Sequence, residues 1–219
     1  MSKNVYSLVL TDQVVEAVDR LAYTMGISRS ALIDRILAER VSFTTPEMKI
    51  NDIFDCLNRY FSAAEENFIV ESGDQSMLIR SSLKYKYNPT IRYSIKIFRG
   101  SEKTTGEIRV NFRTHSAELK RKMEEFLNFW AMLENEYTVK YIKGKIRYII
   151  SEGKLIREFT LPDEYNNKTT EETGEVIAEY IRMFDDVLKC YFSCDNELEA
   201  KKKAAVKFTD YLQKGIALI

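Results

Sequence analysis

The sequence predicts an α+β chain of two parts, and three observations support that reading. A short run of period two followed by two stripes of period 3.6 fills residues 1–44. Four alternating runs separated by turn residues occupy 68–113, and two long amphipathic stretches close the chain after residue 171. The 219 residues are 45% hydrophobic and 30% charged with eight Gly and three Pro, a composition that buries a core and excludes disorder or a collagen-like architecture. No apolar run approaches the roughly 20 residues of a membrane span, and MSKNVYSLVL lacks the basic flank and cleavage site of a signal peptide. Three cysteines without framework spacing do not suggest a disulfide scaffold. The expectation is a cytoplasmic protein with no membrane association.

In the first part, Val5 to Leu10 alternates Tyr6, Leu8 and Leu10 with Val5, Ser7 and Val9, the mark of a short strand. Thr11 then stands as a helix N-cap. Val14, Val15, Val18, Leu21, Ala22 and Met25 recur at spacings of three and four, which predicts a helix from about Asp12 to Met25. Gly26 suits a left-handed helix ending and Ser28 supplies the next N-cap. A second helix follows, with Leu32, Ile33, Ile36, Leu37 and Val41 on its apolar side. One unpaired strand and two short helices cannot close a core alone. The economical solution pairs the strand antiparallel with its copy in a second subunit, making an intertwined homodimer.

The stretch Met25-Gly26-Ile27-Ser28-Arg29-Ser30-Ala31-Leu32-Ile33, with Leu10-Thr11-Asp12-Gln13-Val14 before it, resembles the inter-helix turn and the strand-to-helix junction of the ribbon-helix-helix family, the Arc/MetJ/CopG type of DNA-binding protein. The resemblance covers residues 3–42, about a fifth of the chain. It implies a β-ribbon inserted into the major groove of double-stranded DNA, so that the outward face of the strand reads bases. By parity that face is Lys3, Val5, Ser7 and Val9, apolar at two positions where the family is usually polar. Lys and Ser can hydrogen-bond base edges, and Val can touch a thymine methyl. The first turn of the second helix, with its outward amides, makes Ser28, Arg29 and Ser30 the phosphate contacts.

The second part, residues 45–219, opens with an amphipathic helix from Pro46 to about Glu65 that presents Met48, Ile50, Ile53, Phe54, Leu57, Tyr60, Phe61 and Ala64. Phe68-Ile69-Val70, Met77 to Tyr87, Ile91 to Arg99 and Glu107 to Arg113 then read as an antiparallel meander. Residues 76–113 carry a net charge of +7, against zero for 1–45. Parity places Arg80, Lys84, Lys86, Arg92, Lys96, Arg109 and Arg113 on one sheet face against the single acid Glu107. Such a face suits nucleic-acid backbone, an anionic ligand or an acidic surface, or else serves as a solvated exterior that discourages edge pairing. A helix from Ser116 to Glu134 is expected to cover the apolar face. Short strands at Tyr137 to Ile142, Lys145 to Ile150 and Lys154 to Leu161 follow, then helices at Glu171 to Phe192 and Asn196 to Lys214.

Chemistry-bearing motifs are sparse. His115 is the sole histidine, which excludes multi-histidine metal sites, and it reads as a residue at a helix start. Cys190 and Cys194 lie four apart and read, like Cys56, as small core residues, and Asp185-Asp186 reads as a solvated acidic face. Phosphate-binding glycine loops, a nucleophile elbow and a zinc-hydrolase helix are absent from the sequence. Neither an enzyme nor a metal or cofactor is expected. The reading is a homodimeric, sequence-specific transcriptional regulator of the repressor type, assembling further on DNA, with a small-molecule or protein effector for the second part. The alternatives are an accessory DNA-binding protein of plasmid transfer or partition, and a dimeric interaction module whose basic second part binds a protein or RNA.

Overall fold

A central helix organises the larger part of the chain. Thr170–Phe192 buries residues around most of its circumference, from Val176 and Ile177 to Tyr191 and Phe192, as a helix enclosed on several sides must. The computed structural model describes residues 5–41, 43, 45–63, 68–72, 76–86, 88–98, 105–112, 114–138, 146–160, 169–216 and 219. The fold is α+β, and among the described residues it has six helices and one six-stranded antiparallel sheet. The helices are α1 (Asp12–Met25), α2 (Arg29–Arg40), α3 (Pro46–Ala63), α4 (Ala117–Thr138), α5 (Thr170–Phe192) and α6 (Glu197–Gln213). The strands are β1 (Ile69–Ser72), β2 (Ser76–Ser82), β3 (Thr90–Ile97), β4 (Gly106–Phe112), β5 (Tyr148–Ser151) and β6 (Lys154–Phe159), in the order β1-β2-β3-β4-β6-β5. None of the described helices is long and apolar enough to cross a membrane.

Two compact units divide the chain, Met1–Lys49 and Ile50–Ile219. In the second, the first four strands form the expected meander, and period two puts Met77, Ile79, Ile91, Tyr93, Ile95, Ile108 and Val110 on the core side. The α4 stripe Leu119, Met123, Phe126, Leu127 and Trp130 is buried in the same core. Around Trp130 the rings of Tyr180, Phe184 and Phe208 stand edge-on at centroid distances of 6.1, 4.6 and 5.2 Å, the arrangement that ring quadrupoles favour. Helices α3 and α5 meet closely at Gly174, where a Cβ would come within 2.7 Å of the Cys56 Cβ. Capping boxes and caps set the helix starts: Thr169 and Glu172 bond reciprocally at α5, and Asn196 accepts from Glu199 N–H at α6.

Several expected elements differ. The run Met77 to Tyr87 is not one strand, because β2 ends at Ser82, Leu83 N–H is bonded to Pro89 O and Asn88 stands at φ 41°. Proline and a left-handed asparagine, both turn formers, end the strand earlier than the alternation alone suggests. Tyr137 and Thr138 are helical rather than extended, since α4 continues past Glu134, and the rest of the expected strand at 137–142 lies outside the described residues. The stretch Val5 to Leu10 has no strand pairing in this chain. A strand exists only with a hydrogen-bonded neighbour, and among the described residues no segment pairs with this one.

Two buried polar clusters were not expected from the sequence. Asp185, read as a solvated acid, is fully buried and accepts hydrogen bonds from Tyr93 OH at 2.7 Å and Ser81 Oγ at 3.0 Å, with Lys189 Nζ at 2.6 Å. Burial pushes its carboxyl above the usual carboxylate range, and Lys189, Tyr93 and Ser81 work against that shift. Arg157 and Glu134 form a buried bidentate pair at 2.8 and 2.9 Å, and Tyr148 and Tyr180 each donate to Glu134 at 2.6 Å. Burial works to discharge Arg157, but Glu134, Tyr180 and Tyr148 outweigh it and hold the guanidinium charged. Its Nη1 is buried without a partner.

Candidate nucleic-acid interface

The helix pair of the first unit is shaped by its turn chemistry. Thr11, extended at φ −70° and ψ 149°, occupies the N-cap of α1, although its side chain makes no capping bond. Gly26 ends α1 at φ 64°, with its N–H bonded to Tyr23 O and the Ile27 N–H bonded to Ala22 O, both at 3.1 Å. These are the two bonds of a Schellman ending, which satisfies carbonyls that the helix leaves open. Ser28 then caps α2 by accepting from Ala31 N–H at 3.2 Å. Its side-chain oxygen is thereby engaged within the helix start, while the hydroxyl hydrogen remains available to an external acceptor.

Arg29 does not project alone. Its Nε and Nη2 meet Asp19 Oδ1 and Oδ2 of α1 in a bidentate pair, and both side chains remain about half exposed. Asp19 thus occupies the fork that a phosphate would take, and a carboxylate and a phosphate present similar paired acceptors to a guanidinium. Ser30 is exposed beside it in the first turn of α2. Among the expected base-reading residues, Val5, Ser7 and Val9 are exposed, and Lys3 lies outside the described residues. The expected inward set is also exposed, but in graded fashion: Tyr6 81%, Leu8 56% and Leu10 41%, against essentially full exposure of Val5 and Val9.

The helices show the same incompleteness. Of the apolar positions in α1 and α2, Ala22, Leu32 and Ala38 are buried, whereas Val14, Leu21, Met25, Ile36 and Leu37 are exposed large hydrophobics. Isolated exposed apolar residues are ordinary, but here exposed large apolar side chains recur along residues 5–10 and along both helices.

The basic sheet face of the second unit is smaller and more mixed than expected. Register aligns Arg80 with Arg92, Arg92 with Asn111, Ser94 with Arg109 and Lys96 with Glu107, so Arg80, Arg92, Lys96 and Arg109 do share a face. Lys84 and Lys86 fall in the turn beyond β2, where Lys86 reaches Glu118 at 3.5 Å, and Arg113 lies outside the described residues. The neighbouring strands bring two further acids onto the face, Glu71 across from Leu78 and Glu158 across from Glu107. Arg80 pairs with Glu71 and Arg109 with Glu107, each at 2.6 Å. Arg92, like Arg80, has its Nε buried and without a partner among the described residues. Two of the four basic residues on this face, Arg80 and Arg109, are therefore ion-paired, and a polyanion would have to displace those pairs to reach them.

Comparison of the chain with protein-family models, with curated proteins and with solved structures finds no significant match to any of them.

Proposed function

We propose that the chain is a homodimeric DNA-binding transcriptional regulator, with residues 5–10 of two copies forming an antiparallel ribbon that enters the major groove. The observation that carries this reading is the apolar set Tyr6, Leu8, Leu10, Val14, Leu21, Met25, Ile36 and Leu37, all exposed in the single chain. A second copy related by two-fold symmetry offers the same set in return, and pairing the two N-terminal segments supplies the hydrogen-bond partners that each lacks. The turn chemistry of Gly26 and Ser28 and the neighbouring Arg29 support a phosphate contact at the start of α2. Val5, Ser7 and Val9, with Lys3, are the proposed base-reading residues, and Ser28, Arg29 and Ser30 the phosphate-contacting ones.

The test is sedimentation of the full chain followed by footprinting on genomic fragments across a range of salt concentrations. A dimer that protects a palindromic site and loses affinity steeply with salt is the expected result. A stable monomer would overturn the reading. A dimer that prefers no fragment over random duplex would favour the assembly-module alternative.

A further inference from the structure

Helices α5 and α6 leave a groove of about 580 Å³ between them, and every residue that lines it belongs to the unit Ile50–Ile219. Lys203, Lys207 and Lys214 recur along α6 at spacings of four and seven, which brings them onto one stripe, and Lys202 flanks them. Two of the four are engaged: Lys203 with Glu199 at 2.7 Å and Lys207 with Asp186 at 3.7 Å. Lys202 and Lys214 are exposed and form no ion pair among the described residues, and the Lys214 ammonium lies 5.8 Å from the Tyr211 ring centroid. On the α5 side Asp186 accepts a hydrogen bond from Tyr211 OH, which anchors the Tyr211 ring within the groove. The Tyr211 ring, the exposed Val206 and the methylene stems of the lysines give the groove an apolar lining beside the ammonium groups.

We propose that this groove binds a nucleotide. The volume is that of a small-molecule site rather than of a polymer track. The ammonium groups match a phosphate chain, while the apolar lining and the Tyr211 ring match a flat heterocycle. Asp186 and Asp210, which also line the groove, accept hydrogen bonds from hydroxyl or amino groups and repel an anion that has none to offer. Cys190 lines the wall, and burial pushes its thiol up despite nearby Lys207 and Lys203. The inference goes beyond the DNA-binding reading and does not depend on it.

Titration calorimetry of the full chain with ATP, without added magnesium, and separately with inorganic pyrophosphate tests the proposal. Saturable binding of one ATP per chain is expected, tighter than pyrophosphate by about tenfold through the heterocycle. Lys202→Glu combined with Lys214→Glu should weaken ATP binding about tenfold or more. Lys201→Glu, at a residue that pairs with Glu197 at 2.6 Å and is not among those lining the groove, is the control and should change affinity less than about twofold. No saturable binding of ATP, equal binding of ATP and pyrophosphate, an equal loss in the control, or retained affinity in the double variant would each overturn the proposal.

Discussion

Residues 5–41 and residues 50–219 are both patterned with amphipathic elements, yet the two regions end in opposite states. In the larger unit Trp130, Tyr93, Tyr180 and Phe126 are fully buried, because four helices and a sheet meet in one chain. In the smaller one the same kind of apolar stripe stays exposed at Val14, Leu21, Ile36 and Leu37. Amphipathic periodicity says that a face must be covered but not by what. Where the cover lies in the same chain the core closes, and where it does not, apolar surface stays exposed, which is what the proposed dimer would cover.

The comparison breaks most completely with Leu8→Asp. If the first unit closes against a second copy, a buried carboxylate there should abolish dimerisation and DNA binding together, while the larger unit keeps its thermal transition. A variant that stays dimeric with its helices intact would mean that the inward and outward faces of 5–10 are reversed. Next comes Arg157→Met, which leaves Glu134 buried without its cation and should cost the larger unit about 3–5 kcal/mol in denaturant titration. Adding Glu134→Leu should recover most of that loss, and a neutral single variant would refute the role given to the pair.

Smaller effects sharpen the picture. Gly26→Ala meets no atom within 4 Å but must hold φ 64°, so the first unit should lose about 1–2 kcal/mol from backbone strain alone. Ser7→Ala should change affinity at one operator position by about 1 kcal/mol per half-site, with the salt slope unchanged. Arg29→Ala should instead weaken all sequences alike and lower the salt slope by about one per subunit.

The smallest expected effect is a pH dependence. Asp185 has its carboxyl raised by burial, so between the ordinary aspartate value and the raised one the native chain binds more proton than the unfolded chain. Its stabilising contribution is fully present below the ordinary aspartate range and is lost as pH rises through the raised value. Wild type minus Asp185→Asn stability should therefore fall with rising pH across that window and level off above it. A difference that rises with pH would reverse the sign of the shift.

Local chemistry made much of this fold legible. Gly26 and Ser28 mark a helix ending and a helix start that need no distant partner, and alternation placed Tyr93, Ile95 and Val110 on the buried side. Legibility failed where the deciding contact is remote. Asp19 lies ten positions from Arg29 across a helix turn, and Asp185 lies 92 from Tyr93 and 104 from Ser81. The Lys202 and Lys214 rim exists only because α6 lies against α5, which no periodicity announces. Arg157 was readable in principle, since it stands between Leu155 and Phe159 on the core side of β6, and strict parity there flags a buried cation that must have a partner. The basic face was overcounted because the parity was carried past Ser82 into a turn.

Trp130 is the chain's one tryptophan, and its indole N–H donates to Tyr180 OH at 3.3 Å inside the ring cluster of the larger unit. Its emission therefore reports on that unit's interior, whereas residues 5–41 carry no tryptophan and have Tyr6 and Tyr23 as their aromatic residues. Far-ultraviolet ellipticity, which sums all helices, sees both units. Dilution that lowers ellipticity while leaving the indole spectrum unchanged would isolate the dissociation of the small unit from the unfolding of the large one, without a label or a truncation.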